Sequence, residues 1–274
     1  MSRAESLPQA QPGVVWRSRL PGLSSLRGWL LPLTLLAVLE SVVRIGWIPA
    51  YLMPAPSELA ITLWELADGP LWMHILASTL RVLAGFAIGA SLALILGSLV
   101  GLSRRLEAYL DPTFQALRAV PGLAWVPLLL IWLGIDESSK VTLIAIGSFF
   151  PVYLNLVAGI RNVDRKLVEV GELCKLSRLA TIRRIFVPAA QPYLFTGLRA
   201  GLSMAWLCVV AAELLAATEG IGYLLTDGRE VSRPDLVLVA IATLAVMGKL
   251  SDSLLKALET RALIWRDNYG GDKP

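Results

Sequence analysis

Apolar residues gather into long runs separated by short polar stretches, and a run of about twenty such residues has the length of an α-helix crossing a bilayer. Six runs, at residues 28–47, 75–102, 120–134, 140–160, 193–216 and 236–258, predict six transmembrane helices. The third is short for a span and starts with Pro121, Gly122 and Pro127, so its first turns are expected to be broken and buried in the bundle. Pro151 and Asn155 interrupt the fourth, where both need protein or cavity neighbours. Residues 1–27, with four arginines and no apolar periodicity, read as a disordered cytoplasmic tail, and 261–274 as a second cytoplasmic tail around one domain at 28–260. A signal peptide is the competing reading of the first run, but that run is as long as a span and lacks a small-x-small site at its end.

Within the spans, the small and polar positions carry the information. Gly85, Gly89, Ala93, Gly97 and Gly101 recur every four residues in the second span, and Gly197 and Gly201 repeat the device in the fifth. Such a ridge lets another helix approach backbone to backbone, a main source of association in lipid. Arg81 lies on the first ridge and is expected to face protein. In the fifth span Arg199, Ser203, Trp206, Val210 and Glu213 fall on one helical stripe, which makes them the pore-lining candidates. The competing reading has Arg199 snorkelling to the inner surface and Glu213 capping the outer end. Glu40 and Arg44, at i and i+4 in the first span, form a structural ion pair.

Charge sets the orientation. Lys and Arg crowd residues 1–27, 103–118, 161–192 and the C-terminal tail, whereas segments assigned outside hold only Lys140, Arg229 and Arg233. By the positive-inside rule both termini are cytoplasmic. Residues 48–74 have no Lys or Arg but carry Glu58, Glu65 and Asp68, and they form an outside loop with a short helix after Ser57. His74, the only histidine, has no metal-ligand neighbours and reads as a satisfied polar residue.

The long polar interruption at 161–192 holds seven Lys or Arg against three acids, which excludes a hydrocarbon environment. Asp164 is an N-cap for one helix through about Leu176 and Ser177 for a second, which is expected to end before Pro188. Leu167, Val170, Leu173 and Leu176 share one face of the first, and Leu179, Ile182 and Phe186 one side of the second, so each helix has an apolar face to dock.

Composition agrees with a membrane protein. The 274 residues are 55% hydrophobic and 17% charged, with a mean hydropathy of +0.64. The net charge of +4 lies in segments flanking apolar runs, so nucleic-acid binding is discarded. Cys174 and Cys208 lack metal-ligand spacing and read as free thiols. With no phosphate-binding loop, no nucleophile elbow and no zinc pattern, the chain is expected to need no cofactor or metal and to be no enzyme.

The spacing of Glu169, Gly171, Ile185, Val187 and Pro188 resembles the cytoplasmic loop of the membrane subunits of bacterial ATP-binding-cassette importers, Glu-Ala-Ala-x3-Gly-x9-Ile-x-Leu-Pro. Within that family the chain is similar to aliphatic sulfonate permeases over roughly residues 48–265, including MPAPSE at 53–58 and RAVPGLAWVPLLLIWLGIDESSK at 118–140. The departures are Val170 and Gly171 for the alanines, Val187 for Leu, and Lys175 at the expected Gly. A turn at Lys175 without positive φ, with Ser177 capping the second helix, is the favoured expectation because a side chain disfavours φ > 0. The resemblance implies an all-α type I importer fold in which Glu169, Gly171, Leu173, Lys175, Arg178, Ile185 and Pro188 couple to an ATPase. It also implies two such ATPase subunits, a second copy of this chain, and an extracytoplasmic substrate-binding protein.

A permease that borrows its energy from a separate ATPase is the leading reading, with aliphatic sulfonates as substrate and taurine or nitrate as alternatives. An ion-coupled transporter is the second; it predicts inverted repeats and membrane-embedded carboxylate relays, and only Glu40 and Glu213 qualify as such carboxylates. An intramembrane enzyme needs a catalytic constellation that is not present.

Overall fold

The structure, a computed structural model, describes residues 21–49 and 51–264. The tail segments 1–20 and 265–274 therefore lie outside the described residues. Among these, all regular structure is helical: α1 (Pro21–Arg44), α2 (Pro56–Ala67), α3 (Leu71–Leu102), α4 (Arg104–Ala119), α5 (Val126–Leu133), α6 (Glu137–Arg161), α7 (Arg165–Leu173), α8 (Arg178–Thr181), α9 (Val187–Ala216), α10 (Ile221–Glu230) and α11 (Pro234–Ala262). The first helix starts inside the stretch expected to be tail. Four helical stretches, Leu71–Leu102, Glu137–Arg161, Arg178–Leu215 and Pro234–Ala262, are long and apolar enough to cross a membrane. A fifth crossing is possible if Arg104–Ala119 and Gly122–Leu133, bent by 89°, count as one broken span.

The centre is α6, held between α3 and α9 by glycines on both neighbours. A Cβ built on Gly85 would sit 2.5 Å from the Ile144 Cβ, and one on Gly89 would strike Ser148 and the Ala145 carbonyl. A Cβ on Gly101 would lie 2.8 Å from Ile160 Cδ1, and Ala93 between them is fully buried. From the other side, Cβ atoms at Gly197 and Gly201 would each fall 2.8 Å from α6 side chains, Asn155 and Val152. Small residues thus let three helices approach backbone to backbone, where lipid supplies no hydrophobic drive. Pro151 breaks the α6 ladder, and the Asn155 amide donates to the Pro151 carbonyl at 2.8 Å.

Residues 103–118, expected to be a loop, are helical. Ser103 caps α4 by accepting from the Leu106 N–H at 3.4 Å, and Leu110 and Phe114 at helical spacing pack on the Ala90, Ala93 and Tyr153 cluster. Val120 and Pro121 are extended, as a residue preceding proline prefers, and a single tight turn at Gly122–Trp125 redirects the chain into α5. The short third span is in fact the second limb of a bent helix pair whose first limb is polar enough to look like a loop.

Pro188 does not end a helix. Residues Ile182–Phe186 form a π turn in which the Val187 N–H bonds to the Ile182 carbonyl, and α8 runs through it into α9. The wider turn absorbs the bond that Pro188 cannot donate. This is why the rule that helices stop before proline fails here.

Candidate functional site

The site expected at 161–192 is a two-helix projection at the end of α6. Asp164 caps α7 with a 2.9 Å bond from the Lys166 N–H, and Ser177 caps α8 with one of 3.3 Å from Ala180. The turn between them differs from expectation: Lys175 has φ +52°. Its N–H bonds to the Glu172 carbonyl at 2.9 Å and the Leu176 N–H to the Gly171 carbonyl at 3.0 Å. That pair of bonds is a Schellman motif with lysine in the left-handed position where glycine is usual. The two otherwise orphaned carbonyls at the end of α7 are satisfied by it, and this offsets the steric cost of the lysine.

Gly171 is buried because α7 lies against the π turn; a Cβ there would be 2.7 Å from Ile185 Cδ1. Ile185 and Pro188 are half-buried beneath the projection, while Glu169 and Arg178 are exposed. Glu169 accepts a 3.0 Å bond from Arg165, a surface pair of little energetic weight. Among the described residues the apolar face of α7 has no partner. Leu167, Val170 and Leu173 are all exposed, Leu173 at 83%. At its base Arg161 pairs with Glu107 of α4 and donates to the Val100 carbonyl at 3.4 Å, so the projection is anchored to α3, α4 and α6 at once.

The stripe on α9 is divided between two networks. Near the projection, Arg199 binds Asp252 of α11 through 2.8 and 3.1 Å bonds and Glu259 at 3.5 Å, and the Trp206 indole donates to Ser251 at 2.9 Å. Ser203 is exposed and bonds to the Arg199 carbonyl. At the far end of α9, Glu213 is buried and accepts from Arg81, from Ser78 and from the Gly222 N–H. Arg81 also clamps Glu137 with two bonds of 2.6 and 2.8 Å and reaches the Glu219 carbonyl at 2.7 Å. Gly220, at φ +125°, lies directly on the Glu213 carboxylate, where any side chain would collide. Four elements, α3, α6, α9 and α10, therefore meet on one carboxylate–guanidinium pair.

Sequence reasoning missed two polar roles at that end. Glu40 pairs with Arg44 at 2.6 Å as expected, but it also accepts from the Ser57 N–H and Oγ and so caps the start of α2. His74 accepts a 3.0 Å bond from the Gly220 N–H and stacks on Tyr223. The lack of carboxylate or cysteine neighbours foreshadowed the satisfied state of the histidine, but no local signal marks its partner. Among the described residues no group of three or more His, Cys, Asp or Glu could hold a metal.

Residues 72–264 match the family model described as the binding-protein-dependent transport system inner membrane component. The chain belongs to this family. It is therefore a membrane-embedded permease subunit of an ATP-binding-cassette importer and not an enzyme, with ATP hydrolysed by a separate subunit. It is 41% identical over 98% of both chains to a protein of Bacillus subtilis (strain 168) that bears the name aliphatic sulfonates transport permease protein SsuC. To the protein of the same name from Escherichia coli (strain K12) it is 43% identical, over 88% of this chain and 92% of that one. The fold matches the crystal structure of an amino acid ABC transporter with histidines at a TM-score of 0.60, with 18% identity, over 73% of this chain and 97% of that chain.

Proposed function

We propose that the chain is the membrane subunit of an ATP-driven importer of aliphatic sulfonates. The observation that carries this reading is the identity to sulfonate permeases across nearly their whole length. Two copies of the permease enclose the path, six spans each with both termini cytoplasmic, and an ATPase docks on the α7–α8 projection of each copy. The unpartnered leucines of α7 support that contact, since an apolar helix face set in a groove buries about 25 cal/mol for every Å2 removed from water. Closure of the two ATPases would move the projections, and α8 transmits this movement into α9 because the helix is continuous through the π turn. Glu169, Gly171, Leu173, Lys175, Arg178, Ile185 and Pro188 form the coupling element, and the exposed Ser203 face of α9 lines the path.

The test is uptake into proteoliposomes holding the permease, its ATPase and its extracytoplasmic binding protein. Labelled ethanesulfonate is expected to enter only with ATP inside, and with taurine and nitrate as weak competitors. Saturable uptake of nitrate in preference to sulfonate would replace the substrate, and uptake driven by an ion gradient without the ATPase would overturn the class.

A further inference from the structure

At the end of the bundle remote from α7, helix α10, the start of α11 and residues 51–53 enclose an open cavity of about 710 Å3. This is within the size range of small-molecule sites. Its two walls differ in chemistry. One carries Thr226, Arg229 and Ser232; the other is built from Leu214, Val237 and Ile241. The polar wall holds groups with unused bonding capacity. Thr226 Oγ1 is buried with no hydrogen-bond partner, and Arg229 takes part in no ion pair among the described residues. Arg233, by contrast, is already neutralised by Asp235 at 2.6 Å. The acids nearest in sequence, Asp227 and Glu230, do not line the cavity, and Glu58 and Glu65 face a separate cleft beside Arg233.

We propose that this cavity is a binding site for an aliphatic sulfonate on the permease itself. The inference rests on the importer reading above and adds a site to it. A sulfonate presents three acceptor oxygens and one negative charge, which suit a guanidinium fork flanked by two hydroxyls. Its alkyl chain suits the wall of Leu214, Val237 and Ile241, and no single-chemistry surface would suit both halves. The cavity lies at the last turn of α9, on the side where the binding protein would release its load. Substrate held here waits outside the path until the permease opens.

The experiment uses the permease with its ATPase in nanodiscs, carrying Cys174→Ser and Leu52→Cys, an exposed lining position with no part in holding the sulfonate, and follows labelling by N-ethylmaleimide. 1-Butanesulfonate is expected to slow labelling at concentrations about tenfold lower than sulfate does, because only the former fills both walls. Arg229→Gln should raise the protecting concentration about tenfold or more, with Arg229→Lys recovering part of the loss. Thr226→Val should raise it a few-fold. Absence of protection, equal protection by butyltrimethylammonium, or indifference to Arg229→Gln would each overturn the site. A cysteine closed to maleimide under all conditions would do the same, since lipid or a second copy would then fill the cavity. ATP-driven uptake of butanesulfonate by the wild-type complex separates the two levels: uptake without protection rejects this cavity alone, whereas loss of uptake rejects the importer reading.

Discussion

Arg81 and Glu213, 132 positions apart in the chain, are joined by a 2.8 Å ion pair in which the side chains are 5% and 0% exposed. Each charge is also hydrogen-bonded elsewhere, Arg81 to Glu137 and Glu213 to Ser78 and the Gly222 N–H, so the desolvation of both is compensated. Breaking such a pair costs more than never having built it. Arg81→Met or Glu213→Leu alone should destabilise the purified complex by about 3–5 kcal/mol, and the double substitution by less than the sum of the two. Thermal denaturation of the three variants decides the matter, and additive losses would show that the two charges act independently.

The glycines of α3 are not equivalent. At Gly89 an added methyl meets the Ala145 backbone, which cannot move aside, whereas at Gly97 it meets the flexible tip of Leu156 at 3.1 Å. Gly89→Ala should therefore lower stability and yield far more than Gly97→Ala, by about 2 kcal/mol or more against less than 1. Ile95→Ala, at a 59% exposed position, is the control. Equal tolerance at positions 89 and 97 would mean that α3 and α6 are not in backbone contact.

Membership in the family, the small-residue ridges and both caps of the projection were legible in the sequence because each depends on local spacing or on single residues such as Asp164 and Ser177. The helix α4 was not, since its charges, Arg104, Arg105 and Glu107, hide an apolar stripe of only three or four residues. Nor was the partner of Arg81. Its burial follows from its place on the glycine ridge, but nothing local points 132 positions ahead to Glu213. The π turn before Pro188 escaped because an ordinary α-helix, the default expectation, has no room for proline there, and a single widened turn makes room.

The proposed docking of the ATPase uses the exposed face of α7, and substitution there should separate insertion from coupling. Leu173→Asp and Glu169→Lys are expected to insert normally, since both positions are exposed in the permease. Both should abolish ATP hydrolysis stimulated by the loaded binding protein, because a groove contact would bury an unpaired charge at a cost of several kcal/mol. Wild-type transport by both variants would place the ATPase elsewhere.

The orientation is open to direct labelling. In an otherwise cysteine-free chain, Glu65→Cys on α2 and Asp227→Cys on α10 should react with an impermeant maleimide in intact cells. Arg183→Cys in the π turn should react only after permeabilisation. Labelling of position 183 from outside would invert the topology and remove the basis for ATPase docking with it.

Lys175 is the sharpest departure from the loop pattern, and its φ of +52° gives the departure a measurable consequence. A non-glycine residue in the left-handed region costs about 1 kcal/mol or more relative to glycine, through the approach of Cβ to the following carbonyl. The position is retained because two backbone bonds, from Lys175 to Glu172 and from Leu176 to Gly171, close the end of α7 only in this conformation. Lys175→Gly should keep both bonds while relieving the strain. The turn should become more stable by about 1 kcal/mol less the entropy that glycine adds to the unfolded chain, which leaves a small net gain. Amide exchange at Lys175 and Leu176 reads that gain directly, and slower exchange in the glycine variant is the expected result. Lys175→Pro supplies the opposite sign: proline fixes φ near −65° and removes the N–H that Glu172 accepts, so the turn should open and coupling to the ATPase should fall with it. Faster exchange in Lys175→Gly, or full coupling in Lys175→Pro, would show that the left-handed turn is not what sets the angle between α7 and α8.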